Sequence, residues 1–171
     1  MTKTWLITDT HFGHDKMIEY CGRPEDFSHI ILDSLCMNVY PGDILIHLGD
    51  ICINNDDSWH TKLQNVTTGV KRILVRGNHD HKSDSWYMSH GWDFVCESVT
   101  VKFMGKNILF SHAPLAIGDH DLNIHGHFHN TLHHEDMFEI LTNKHLCLSI
   151  EETNYKPVLL ETFIKGCNDN R

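Results

Sequence analysis

The chain has 171 residues, of which 40% are hydrophobic and 22% are charged. This length is enough for one domain with a buried core but not for two, and the composition is ordinary for a globular protein. The formal net charge of −9 disfavours a long nucleic-acid surface or an anionic-membrane surface, because both partners repel a negatively charged protein.

The cysteine pattern and the N-terminal residues indicate the cellular compartment in which the protein is expected. Six cysteines form no Cys-x-x-Cys pair, which is typical of a reduced, intracellular protein with buried thiols. A strand is predicted from residue 5, so no signal peptide is expected. No apolar run approaches the ~20 residues of a membrane span. We therefore expect a cytoplasmic protein.

Three strands are predicted in the first half of the chain, over 5–8, 44–48 and 73–76. Each is a short aliphatic or β-branched run, and such runs bounded by turn residues are typical of buried strands. Each is followed by a segment with helical spacing. This alternation predicts parallel strands joined by right-handed crossovers.

Three helices are predicted between these strands. Ser28 can cap the first, and either Asp57 or Ser58 can cap the second. A short third helix is predicted over residues 83–90, where Gly91 ends it.

The second half is predicted to consist mainly of strands, over 94–96, 99–103, 106–110, 122–124, 146–150 and 158–161. Met104 and Gly105 are predicted to form a tight turn. Segment 130–145 is predicted to be either an irregular loop or a short helix. We expect one domain over residues 1–165 and a frayed polar tail over 166–171.

Five apolar runs end at residues of the kinds that bind metal ions. In open α/β sheets, chemistry gathers outside the carboxyl ends of the strands. The predicted rim carries eight residues: Asp9, His11, Asp50, Asn78, His79, His112, His127 and His129. These are too many ligands for one metal ion and about the number that two ions need. Six other histidines are predicted to be ordinary surface residues: His60, His81, His90, His120, His133 and His134.

The two-residue spacing within two of these motifs explains why their side chains are expected to point to the same rim. Asp9 and His11 are two residues apart, so on an extended strand end both point the same way. His127 and His129 share this spacing, and Phe128 between them is predicted to point into the core. Gly49 allows the backbone to turn closely around ions.

The mixed oxygen and nitrogen donors suit divalent manganese, iron, zinc, nickel or cobalt, and manganese is our prediction for activity in vitro. A single carboxylate can bridge two such ions at about 3.5–4 Å, the separation used in phosphoryl transfer.

In this order, the motifs resemble those of the calcineurin-like metallophosphoesterases, in particular a compact bacterial and phage subgroup. The matching motifs are Asp9-x-His11, Gly49-Asp50, Gly77-Asn78-His79-Asp80, His112 and Gly126-His127-x-His129. The resemblance implies an α/β/β/α sandwich, in which two packed mixed sheets are flanked by helices.

The resemblance also implies roles for the rim residues. Seven would hold two divalent ions: Asp9, His11 and His129 the first, Asn78, His112 and His127 the second, and Asp50 both. A hydroxide bridging the ions would attack phosphorus. His79 would contact substrate and protonate the leaving group, and Asp80 would orient the His79 ring.

Three further residues are candidates for substrate binding. His14 lies on the loop after the first strand, where it either faces substrate or is a hydrogen-bonded loop residue. Arg76 either reaches a phosphate or forms a structural ion pair. Arg23 either binds an anion or braces its loop.

These residues predict a phosphodiesterase that acts on a small phosphodiester or nucleotide. A phosphomonoesterase is the main alternative, although a monoester carries more charge and needs cationic side chains that are scarce here. A scaffold without catalysis is disfavoured by the presence of His79. A nuclease for long DNA or RNA needs a basic stripe, which the sequence lacks. A homo-oligomer remains an open alternative.

Overall fold

The computed structural model describes residues 2–130 and 135–169. Its elements in chain order are β1 Thr4–Ile7, α1 Lys16–Cys21, α2 Phe27–Asn38, β2 Ile44–His47, α3 Asp56–Val66, β3 Lys71–Val75, α4 Asp84–Ser89, β4 Phe94–Cys96, β5 Ser98–Phe103, β6 Lys106–Ser111, β7 Leu122–His125, a 3-10 helix Glu135–Ile140, β8 His145–Cys147, β9 Val158–Leu159 and α5 Leu160–Asp169. No helix within these ranges combines the length and apolar character that a bilayer crossing requires.

The strands form two sheets. The larger has the order β4-β3-β2-β1-β9, in which the first four strands are parallel and β9 is antiparallel to β1. The smaller has the order β5-β6-β7-β8, with one antiparallel pair, β5 and β6. Two mixed sheets with flanking helices confirm the predicted fold class. The parallel crossovers predicted for the first half are also present.

Successive side chains along each strand point to opposite faces of the sheet, and this alternation produces two hydrophobic cores. On β1, Trp5 and Ile7 face the helices, whereas Leu6 faces the smaller sheet. The first core packs the larger sheet against α1 to α4. The second core lies between the sheets and also takes in Leu160 and Ile164 of α5. The two sheets are thereby fixed relative to each other, with the carboxyl ends of β1, β2, β3, β6 and β7 converging on one edge.

The loop after β6 is bonded to the smaller sheet through Asn123. The amide of Asn123, on β7, donates to the Leu109 carbonyl at 3.1 Å and to Ser111 Oγ at 2.9 Å. Its oxygen accepts the Leu115 backbone N–H at 2.9 Å. Asn123 is fully buried, so these bonds satisfy it and fasten the loop over the sheet.

Several helix starts differ from prediction. Helix α2 begins at Phe27, so Ser28 lies inside it, and its Oγ accepts the Gly13 backbone N–H at 3.2 Å instead of capping. Helix α3 begins at Asp56 after Asn55, so neither Asp57 nor Ser58 is its cap. Helix α4, Asp84–Ser89, agrees with the helix predicted over 83–90, and the Ser83 side chain caps it by accepting the Trp86 N–H. Helix α1 was not predicted, because its six residues are too few for a clear period.

The C-terminal region contains the largest difference. The predicted strand over 158–161 ends at Leu159, and the predicted tail from residue 166 is helical as far as Asp169. Leu160, Ile164 and Cys167 recur at helical spacing and join the inter-sheet core, which stabilises this helix.

Smaller differences involve three other segments. The predicted strand over 146–150 is shorter and lies at His145–Cys147. The 3-10 helix Glu135–Ile140 occupies part of the ambiguous segment over 130–145. His60 is buried and not at the surface, and its Nδ1 accepts the Trp92 indole N–H at 3.0 Å. The predictions for His133 and His134 lie outside the described residues.

Candidate metal centre

The eight rim residues come together at one edge of the two sheets. Asp9 and His11 follow β1, Asp50 follows β2, and Asn78 and His79 follow β3. His112 follows β6 of the smaller sheet, and His127 and His129 follow β7. Both sheets therefore contribute, as expected for side chains that follow the carboxyl ends of strands.

A first group of ligand atoms comes from Asp9, His11 and His129, all within 4.8 Å of one another. Asp9 Oδ1 lies 3.8 Å from His129 Nε2 and 4.0 Å from His11 Nε2. The other oxygen, Oδ2, accepts the Thr8 hydroxyl at 2.6 Å and the His127 backbone N–H at 3.0 Å. Asp9 Oδ1 is buried and has no hydrogen-bond partner among the described residues. A buried carboxylate oxygen in this position fits a cation.

A second group comes from Asp50, His112 and His127, also within 4.8 Å of one another. His112 Nε2 lies 3.4 Å from Asp50 Oδ2, 3.0 Å from His127 Nδ1 and 2.9 Å from Asn78 Oδ1. His112 Nδ1 donates to the Leu48 carbonyl at 2.7 Å, so Nε2 is the ring nitrogen directed at the group.

Asp50 connects the two groups. Its Oδ2 is 3.4 Å from His112 Nε2 of the second group and 3.6 Å from His11 Nε2 of the first. Its Oδ1 accepts the His79 backbone N–H at 2.9 Å, which fixes the carboxylate. Burial raises the pKa of Asp50, but the hydrogen bond and charge of His112 and the charge of His11 outweigh it and hold the pKa below its ordinary value.

The same acidic surroundings act on His112. Burial lowers its pKa, whereas the hydrogen bond to Asp50 and the charges of Asp9 and Asp50 raise it to about 9. Negative charge therefore predominates around this imidazole. A site of this kind attracts cations.

Five of the rim residues have left-handed backbone conformations. The φ values are +49° for Asp9, +44° for His11, +57° for Asp50, +73° for His127 and +51° for His129. Each such residue costs about 1–3 kcal/mol, and strain of this kind concentrates at functional sites. The prediction that Asp9 and His11, and likewise His127 and His129, lie on extended backbone is therefore wrong. Backbone in the left-handed conformation directs these side chains. Phe128 is buried, as predicted.

Two glycines allow the loops to approach each other this closely. Gly49 has a φ of +94°, and a Cβ there would lie 2.4 Å from the backbone nitrogen of Gly77. A Cβ on Gly126 would lie 2.4 Å from Asp9 Oδ2. Any larger residue at either position would push the loops apart.

A buried ion pair supports the first group, and it includes Glu151, which the sequence analysis missed. His129 Nδ1 donates to Glu151 Oε1 at 3.2 Å, leaving Nε2 directed at Asp9. Arg23 Nη2 donates to the same oxygen at 2.6 Å. Arg23 also donates to the backbone carbonyls of Asp9 at 2.8 Å and Thr10 at 3.0 Å. Arg23 is only 2% exposed, so this placement favours the bracing alternative over contact with substrate.

Asp80 does not orient His79, contrary to prediction. Its Oδ2 accepts the backbone N–H groups of Asp50 and Gly77, both at 2.8 Å, and its Oδ1 accepts that of Ile51 at 3.2 Å. Two of these bonds hold the loop that carries Asp50, and the third ties Asp80 to its own loop after β3. His79 is half-exposed, and its Nε2 lies 4.0 Å from Asp50 Oδ2.

The other two candidates are placed differently. Arg76 forms ion pairs with Glu97 and, at 3.5 Å, with Asp84, which matches the structural alternative. His14 lies on a cavity of about 380 Å³ that opens onto the rim residues. Its ring centroid is 5.9 Å from that of His11. Among the described residues that line this cavity, Cys21 carries the only thiol and no serine is present. Burial is the main cause that raises the pKa of Cys21 to about 11, so this thiol is a poor nucleophile.

Comparison of the chain with known proteins identifies its family. An uncharacterized protein of Methanocaldococcus jannaschii is 27% identical over 96% of this chain and 91% of its own length. A solved protein of unknown function from Aquifex aeolicus is similar over 96% of this chain and 99% of its own, with 26% identity and a TM-score of 0.75. A solved archaeal phosphodiesterase shares the fold at 17% identity and a TM-score of 0.50, over 93% of this chain and 100% of its own. The sequence profile of the calcineurin-like phosphoesterases matches residues 2–162, and the chain belongs to this family of divalent-metal-dependent hydrolases.

Proposed function

We propose that the protein is a dinuclear-metal phosphodiesterase that hydrolyses a small phosphodiester or nucleotide. The observation that carries this proposal is the position of Asp50. One carboxylate oxygen lies within 3.6 Å of a histidine nitrogen from each of the two ligand groups. A shared carboxylate can bridge two ions about 3.5–4 Å apart.

The donor sets support a specific assignment of ligands. Asp9, His11 and His129 would hold one ion, Asn78, His112 and His127 would hold the other, and Asp50 would contact both. Manganese is our proposal for activity in vitro, and iron, zinc, nickel or cobalt suit the same donors. When bound, such ions neutralise phosphate charge and lower the pKa of a shared water.

His79 is the proposed general acid. Its backbone N–H is held by Asp50, and its half-exposed ring lines the cavity. The ring can therefore reach the departing oxygen of a bound ester and donate a proton to it. Asp80 contributes indirectly, because it holds the Asp50 loop.

The cavity lining favours a diester over a monoester. No lysine or arginine appears among the described residues that line it. Arg23 and Arg76, the two candidate anion binders, are committed to ion pairs with Glu151 and with Glu97 and Asp84. A monoester carries an additional negative charge that this lining would leave without a side-chain cation. The net charge of −9 also opposes a long polyanionic substrate.

The test compares bis-p-nitrophenyl phosphate with p-nitrophenyl phosphate in the presence of Mn²⁺, with bound metal measured for every protein. We expect preferential diester turnover. Asp50→Asn should lose both turnover and metal, whereas His79→Ala should lose turnover by about 10²- to 10⁴-fold and keep its metal. Preferred turnover of the monoester would instead establish the phosphatase alternative. Bound metal without turnover of either ester would contradict the proposal.

A further inference from the structure

A row of four aromatic rings leads outward from the candidate metal centre. The ring centroids of His79 and His11 are 5.5 Å apart, those of His11 and His14 are 5.9 Å apart, and those of His14 and Tyr20 are 6.4 Å apart. All four residues line the same 380 Å³ cavity. The row therefore connects the reaction centre to the Tyr20 ring without leaving the cavity.

The outer end of this row is apolar and open. Met17, Tyr20 and Cys21 of α1 line the cavity there, and Met17 and Cys21 are buried. Tyr20 remains 55% exposed. The rings of His14 and Tyr20 lie at 72° to each other, an edge-to-face arrangement that leaves ring surface free to contact a ligand. With no described cationic side chain on the lining, ring contacts are the main source of affinity for an organic group here.

His79 also borders a more polar cavity. A second cavity of about 610 Å³ begins at His79 and His81 and is lined by Asn54, Asn55 and Asp56 among others. If His79 protonates the leaving group, that group departs toward this polar side. The group that stays on phosphorus lies in the equatorial plane, roughly at right angles to the departing oxygen, and the first cavity, lined by His14 and Tyr20, offers it space.

We propose that His14, Met17 and Tyr20 form a subsite for a planar aromatic group, in particular a nucleobase, on the retained side of the phosphodiester. This inference rests on the proposed function and specifies its substrate class. Hydrolysis would break the bond from phosphorus to the leaving oxygen, which takes up a proton, and water would supply the new oxygen on phosphorus. The retained product is a nucleoside monophosphate held at Tyr20.

Three esters with the same leaving group test the subsite. Methyl p-nitrophenyl phosphate retains no ring, bis-p-nitrophenyl phosphate retains a simple aryl ring, and the p-nitrophenyl ester of thymidine 5′-monophosphate retains a nucleobase. We expect the metal-loaded protein to show a KM for the thymidine ester about 5- to 150-fold lower than for the methyl ester, because stacking of one base on an aromatic residue contributes about 1–3 kcal/mol. An equal advantage for the bis ester would define the subsite as one for any aryl group.

The variants separate this contact from general damage. Tyr20→Ala should remove the advantage of the ring-bearing esters over the methyl ester, and Tyr20→Phe should retain it. Tyr40→Ala is the matched control, because Tyr40 is also 55% exposed but hydrogen-bonds to Met37 at the end of α2. Equal KM values for all three esters, or equal losses for all three in Tyr20→Ala, would overturn the subsite while leaving the phosphodiesterase intact.

Absence of turnover with every ester would count against the proposed function and not by itself against the subsite. Calorimetric titration with thymidine 5′-monophosphate then decides the matter. Binding that Tyr20→Ala weakens and Tyr40→Ala does not supports the subsite. Absence of binding, or binding that is indifferent to Tyr20, overturns it.

Discussion

The two candidate ligand groups are held in place by different means. In the first, the His129 ring is oriented by Glu151, whose charge is balanced by the buried guanidinium of Arg23. In the second, the His112 ring is oriented by the Leu48 backbone carbonyl. The first group therefore depends on charged side chains that are distant in sequence, whereas the second depends on backbone placed by β2. The His129 ring can therefore be disturbed by substituting Glu151 or Arg23, whereas the His112 ring is held by a backbone group that no substitution removes.

The largest expected effect comes from breaking the ion pair behind the first group. Arg23→Met would leave Glu151 buried without its cation and the Asp9 and Thr10 carbonyls without donors. Removing one partner of a buried pair costs about 3–5 kcal/mol. We expect that loss in the unfolding free energy of the metal-free protein, measured in urea. Arg76→Met is the control, and its more exposed pair with Glu97 should contribute about 0–1 kcal/mol. Similar losses in both variants would contradict the special role of Arg23.

A smaller loss is expected from the carboxylate that holds the second group's loop. Asp80→Asn keeps one acceptor oxygen where the structure uses two to bind three backbone N–H groups. A buried donor left unpaired costs about 1–3 kcal/mol of unfolding free energy. Because Asp80 is bonded to this loop, the pH dependence of kcat should keep its shape in the variant. A shift in the alkaline limb would instead restore Asp80 as the partner of His79.

His60 lies outside both ligand groups, and its burial should make the unfolding free energy depend on pH. Burial lowers the pKa of His60 to about 4 from 6.5. Its folded-state pKa is below the unfolded one, so the unfolded state binds more protons between these values. Stability is then complete above pH 6.5 and falls as pH drops toward 4. We expect about 1–2 kcal/mol less unfolding free energy at pH 5 than at pH 7 from this residue. His60→Gln should flatten the dependence, and an unchanged slope would contradict it.

The smallest expected effect is on metal affinity and concerns the first group alone. Glu151→Gln keeps an oxygen near His129 but removes the charge that makes the imidazole a stronger ligand. We expect about tenfold weaker binding of one Mn²⁺ equivalent and unchanged binding of the other, since such supporting carboxylates influence affinity by about 10- to 100-fold. A competitive chelator titration measures both equivalents. Glu97→Gln, at the exposed partner of Arg76, is the control, and weakening of both equivalents would show that the groups are not independently supported.

The candidate ligand residues were predictable from the sequence because each stands at the end of a short apolar run. Asp9, Asp50 and His112 could be placed on one edge by strand order alone. Their supports were not predictable in the same way. Glu151 approaches Arg23 across 128 residues of sequence, and no local pattern marks such a pair. Asp80 was misassigned because adjacency to His79 says nothing about which backbone N–H groups its carboxylate meets.

The elements of the fold also divide into those that could be predicted from the sequence and those that could not. Strands β1, β2 and β3 were readable as aliphatic runs, and their parallel order followed from the alternation with helices. Helix α5 was missed although Leu160 and Ile164 carry a helical period, because the polar residues after Gly166 suggested an end to the structure. The turned backbone at Asp9 and His11 could not be inferred, since it depends on contacts between loops.

The most direct test of the dinuclear centre is electron paramagnetic resonance of the protein titrated with Mn²⁺. If Asp50 contacts both ions, two equivalents should bind, and the second should convert the single-ion spectrum into that of an exchange-coupled pair. Asp50→Asn should abolish the coupled signal. Saturation at one equivalent, or two equivalents that remain magnetically independent in the wild-type protein, would contradict a shared carboxylate and with it the proposed centre.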